Sequence, residues 1–104
     1  MKLIHWELNE VNFDYLCSYI KDGYLPVWKD FIDKHGIVTT YSESVYENLE
    51  PWIQWPSIRT GKSFSEHKIF RLGDIEKSDY RQHWEILENK GFCVAAVSPI
   101  NAWN

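Results

Sequence analysis

The chain has 104 residues, enough for one compact domain and too few for two. Hydrophobic residues make up 44% and aromatic residues 16%, which supplies a core and excludes the composition of a disordered chain. Fifteen acidic against eleven basic residues leave a net charge of −4, which excludes general binding to a nucleic-acid backbone or an anionic membrane surface. No apolar run approaches the ~20 residues of a membrane span. The opening MKLIHWELNE turns acidic at once and has no apolar signal region, so a cytoplasmic protein is expected. Cys17 and Cys93 sit inside apolar patterns without CxxC spacing and read as buried free thiols.

Residues 2–8 (KLIHWEL) read as a first strand with Glu7 at its carboxyl end. In an open α/β sheet the ligand crevice lies beyond such ends, so Glu7, Asn9 and Glu10 would line it. A carboxylate there suits Zn²⁺, Mn²⁺ or Mg²⁺. The alternative is that Glu7 and Glu10 are solvated loop acids. Asn12 caps a helix in which Phe13, Leu16, Cys17 and Ile20 recur at helical spacing toward a core, and Gly23 ends it. Pro26 starts a second helix with Trp28, Phe31, Ile32 and His35 on one face, closed by Gly36; His35 there favours the helix C-terminus. The β-branched and aromatic residues of 37–44 (IVTTYSES) make a second strand.

Glu43, Glu47 and Glu50 lead into a helix that begins near Pro51 and stops at Gly61. A helix N-terminus gathers free N–H groups and positive dipole, which suits an anion or a nucleophile. Pro56 deletes one internal hydrogen bond and predicts a kink or a late start. Trp52 and Trp55 share a face, either as core or as a stacking platform. Arg59 could contact an oxyanion or pair with a nearby acid. Residues 62–77 have no sustained period and read as a long loop. Ser78 caps a last helix carrying Tyr80, His83, Trp84 and Leu87, and Gly91 stops it. FCVAAV (92–97) suits a strand buried on both faces, with 98–101 (SPIN) at its carboxyl end. Strand, two helices, strand, two helices, strand is an α/β order, and right-handed crossovers would make the sheet parallel, a three-layer αβα unit over residues 1–104. P-loop, GxGxxG, HExxH and Ser-His-Asp patterns are absent from the sequence.

Residues 7–12 (ELNEVN), 49–67 (LEPWIQWPSIRTGKSFSEH) and 98–101 (SPIN) together resemble the opening third of the alkaline phosphatase superfamily, which includes type I phosphodiesterases, nucleotide pyrophosphatases and sulfatases. That family places an acidic metal ligand after its first strand. Its nucleophile sits at a helix N-terminus nine residues before the Thr of a Thr-Gly pair, with a His-containing element soon after. Thr60-Gly61 and Glu66-His67 fit, and Glu7 takes the place of the first acid. Nine before Thr60 is Pro51, which has neither hydroxyl nor thiol; only a gapped alignment would bring in Ser44 or Ser57. The resemblance implies a divalent metal (Zn, Mn or Mg) on Glu7 and Glu50, with Glu50 also able to orient water or replace the nucleophile. Asn9, Arg59 and Asn101 would contact a phosphate- or sulfate-ester small molecule or a sugar. His67 would serve the fold. The family's complete fold is several times longer and carries most of its metal ligands further on, so the chain is expected to be the N-terminal part of a larger one. The competing expectation is a non-catalytic binding or assembly module that keeps the scaffold without the nucleophile.

Overall fold

A computed structural model describes residues 2–102. Cα proximity divides the chain into two compact units, Met1–Thr40 and Tyr41–Asn104.

In the first unit Asn12 begins α1 (Phe13–Lys21), its side-chain oxygen accepting from the N–H groups of Asp14 (3.0 Å) and Tyr15 (3.1 Å). Two donors that the first turn cannot satisfy are thereby covered. Gly23, at φ 84°, turns the chain toward α2 (Pro26–His35), where Pro occupies the first helical position and the Gly36 N–H donates to the Ile32 carbonyl at 2.7 Å. Both helices start and stop where their punctuating residues predict. Their apolar stripes do not form the expected core, since Leu16 is the only residue of α1 or α2 that is buried, and Phe13, Cys17 and Phe31 are exposed.

The second unit is arranged around α3 (Pro51–Thr60). A 3₁₀ turn at Tyr46–Asn48 leads in, and the Asn48 carbonyl accepts from Gln54 Nε2 at 2.6 Å. Glu50 is the N-cap, Pro51 the first helical residue and Gly61 a left-handed C-cap. Ile53, Pro56 and Arg59, three apart, form the buried stripe. After α3 come α4 (Phe64–His67), a 3₁₀ turn at Asp74–Lys77 and α5 (His83–Asn89). Residues 62–77, expected as an open loop, thus hold two short helical turns. The Glu66 carboxylate accepts from the Ser63 N–H (3.0 Å) and hydroxyl (3.0 Å), and Lys62 donates to it at 3.1 Å, which holds its pKa down at about 2. α5 starts later than Ser78 predicts, because Glu85 accepts from the Gln82 N–H (2.7 Å) and fixes the cap there. Ile53, Ile69 and Ile75 form the apolar core.

The expected α/β three-layer sheet is not formed: the described residues are about 47% helix and 0% strand. Strands are stabilised only by pairing with neighbours, and β-branched residues supply side-chain packing but no ladder. Among the described residues, 37–43 and 93–97 make no backbone–backbone hydrogen bond. Val38 and Val97 are each 88% exposed, so neither segment has a wall to pack against. Cys17 and Cys93 are free, as expected, but exposed rather than buried.

Replacing Asn12 with Ala should lower the stability of α1 by about 1 kcal/mol. Amide exchange in residues 14–21 reads this directly, and unchanged protection there would contradict the cap.

Candidate functional site: the polar interior around α3

The five residues that sequence selects for a site divide between the units. Glu7 and Asn9 belong to the first, where Glu7 Oε1 lies 3.8 Å from His5 Nε2 and Asn9 opens a turn. Glu50, Arg59 and Asn101 belong to the second. Glu50 is exposed at the head of α3, and its backbone carbonyl accepts from the N–H groups of Ile53 (2.8 Å) and Gln54 (3.0 Å). Its side chain makes no capping hydrogen bond.

Asn101 and α3 are joined by a chemical need. Pro56 has no N–H, so the Trp52 carbonyl four residues earlier lacks its helical donor. Asn101 Nδ2 donates to that carbonyl at 2.7 Å and to the Arg71 carbonyl at 3.3 Å, while Asn101 Oδ1 accepts from the Gly73 N–H at 3.0 Å. One amide therefore ties the first turn of α3, the 71–73 turn and the 98–101 segment together. The backbone of Asn101 lies at φ 50°, a left-handed conformation that Asn tolerates better than most residues. The Trp52 indole adds a bond from Nε1 to the Phe70 carbonyl at 3.1 Å.

Arg59 is 2% exposed. Its guanidinium lies 5.6 Å from the Trp55 ring centroid and 5.1 Å from that of Trp84, and Nη1 donates to the Ile100 carbonyl. The same nitrogen lies 3.5 Å from Gln82 Oε1. Cation–π contact on two rings makes Arg59 part of the interior of the unit. Sequence did not single out Gln82, which is wholly buried; its Nε2 has no partner among the described residues.

His67 is buried, with Nε2 2.9 Å from Ser57 Oγ and Nδ1 accepting from the Ile69 N–H at 2.9 Å. Since Nδ1 accepts, the neutral ring carries its proton on Nε2. The Ser57 hydroxyl donates to the Ile53 carbonyl at 3.2 Å, leaving its lone pairs for that Nε2–H. His67 is thus a donor to Ser57 and not its base, and the pair lacks the arrangement of an activated nucleophile. Burial lowers the His67 pKa, against the opposing fields of Glu43 and Glu66. Glu43 reaches in from the opening segment of the unit, its carboxylate accepting from the Phe64 N–H at 2.8 Å. His67 is thus bonded on both ring nitrogens within the unit.

Among the described residues no group of three or more His, Cys, Asp or Glu side chains could hold a metal ion, and no helix is long and apolar enough to cross a membrane. No family model, no curated protein and no solved structure matches the chain.

Asn101→Ala should cost about 2 kcal/mol or more, because it strands the Trp52 carbonyl and the Gly73 N–H together. Urea unfolding measures it; a loss below about 0.5 kcal/mol would mean that water serves these groups equally well.

Proposed function

We propose that the chain forms part of a phosphate- or sulfate-ester hydrolase or transferase similar to the alkaline phosphatase superfamily, and that it supplies the α3 end of the site. One observation supports this above the others. Two of the three sequence blocks that carry the resemblance, 49–67 and 98–101, meet at the first turn of α3 through the 2.7 Å bond from Asn101 to the Trp52 carbonyl. That turn is where the family sets its nucleophile. Support comes from this meeting of blocks and not from a sheet.

Pro51 offers no hydroxyl, so in this reading Glu50, exposed beside it, orients water or attacks. Attack by its carboxylate on phosphorus would expel the alcohol and leave an acyl phosphate for water to hydrolyse. The described residues do not fit a metal by themselves. The family's divalent metal would need further donors, and no step is assigned to it. Exposed free cysteines accord with a reducing, cytoplasmic setting.

A second reading, a binding or assembly module for a sugar or a protein, is favoured by a separate observation. Ile4 (91%), Trp6 (74%) and Tyr41 (96%) leave large apolar surfaces in solvent.

The longest natural polypeptide containing this sequence should turn over a phosphodiester, phosphomonoester or sulfate-ester model substrate with Zn²⁺, Mn²⁺ or Mg²⁺ present. Glu50→Gln should slow it by about a hundredfold or more. An unchanged rate in that variant would remove the chemical role of Glu50. No turnover of any substrate by the folded natural protein would leave the binding module as the better reading.

A further inference from the structure

His67 closes a circuit between two parts of the second unit. Its Nε2 side faces Ser57 on α3, and its Nδ1 side receives the Ile69 N–H just beyond α4. Ile69 is 1% exposed. Residues 70–73 then lie against the first turn of α3, through Phe70 on Trp52 and through Arg71 and Gly73 on Asn101. Lys68, at φ 57°, is the left-handed joint from which this segment departs.

We propose that His67 is an acid-sensitive latch, which holds the Ile69 end of the 69–73 segment to the ring that Ser57 fixes on α3 while that ring is neutral, and releases that end when the ring is protonated. A protonated imidazole has two N–H donors and no acceptor. Nδ1–H would then face the Ile69 N–H across 2.9 Å, two donors without an acceptor between them. The Ser57 contact survives, because Nε2 carries hydrogen in both states. Release is therefore confined to the side after α4.

The charged groups that face the ring are the carboxylates of Glu43, from the opening segment, and Glu66, on α4 itself; α3 presents the neutral Ser57. Burial opposes the proton and outweighs the two carboxylates, so the folded pKa lies below the ordinary histidine value. The unlatched or unfolded chain binds the proton more tightly, and stability accordingly rises with pH across the interval between the two pKa values. It is complete above about 6.5 and falls away as the pH drops through the folded value.

Hydrogen exchange on the natural chain between pH 8 and pH 5, corrected for the intrinsic pH dependence, tests the latch. Protection of the Ile69 amide should fall about tenfold per pH unit inside the window, while the α1 amides keep theirs. His67→Asn retains an acceptor near the Nδ1 position and cannot titrate, so its Ile69 protection should stay flat with pH. If that variant does not fold, the ring ¹⁵N shifts of the natural chain decide alone. An Nε2–H tautomer with a midpoint below 6.5 is expected. An Nδ1–H tautomer, or Ile69 protection that ignores pH while His67 titrates, would overturn the latch.

Discussion

Pro56 cannot give a hydrogen to the Trp52 carbonyl, and the organisation of the second unit follows from how that omission is made good. A buried carbonyl without a donor costs about 1 to 3 kcal/mol. Asn101, 49 residues from Trp52, covers it. Because the same amide also serves Arg71 and Gly73, the repair of α3 fixes the course of residues 71–73. α3 runs uninterrupted from Pro51 to Thr60, with Pro56 buried in its contact stripe. The proline that would break an isolated helix is here the origin of its longest-range contact.

The same helix carries the unusual polarity of this interior. Arg59, His67, Gln82 and Asn101 are all buried, alongside three isoleucines as apolar core among the described residues of this unit. Such an interior relies on satisfied geometry more than on apolar area. Arg59 rests between Trp55 and Trp84, and the Ile100 carbonyl anchors it to the segment that also bears Asn101. Gln82 marks the limit of this economy: orienting Oε1 toward Arg59 leaves Nε2 buried without a partner among the described residues. Glu50, by contrast, stays exposed at the head of α3.

Helix boundaries were legible wherever one residue type meets one local need. Asn12 as a cap, Pro26 and Pro51 at first positions, and Gly36 and Gly61 as stops act within a turn of their own position. The strands were not legible, because apolar, β-branched composition states a preference for a pleated neighbour without supplying one. Segments 37–43 and 93–97 have the composition and lack the ladder. For the site, residue type pointed to Arg59 and Asn101 as substrate contacts, and the fold buries both beside α3. Their partners in the fold are backbone carbonyls and, for Arg59, two tryptophan rings, which no local pattern in the sequence announces. Pro56 was read as a defect because its compensating donor is far away in sequence, and no local pattern carries that information. Glu85 gave a nearer signal, since an acid three residues after Gln82 marks the true start of α5.

A double-mutant cycle between Pro56 and Asn101 tests the dependence of the unit on this carbonyl. Pro56→Ala restores an N–H that can reach the Trp52 carbonyl within the helix. Asn101→Ala should then cost less in the Pro56→Ala background than in the natural chain, by a coupling of about 1 kcal/mol in urea unfolding. Costs that add to within about 0.5 kcal/mol would contradict the account, and would mean that Asn101 stabilises the unit independently of the bond that Pro56 removes.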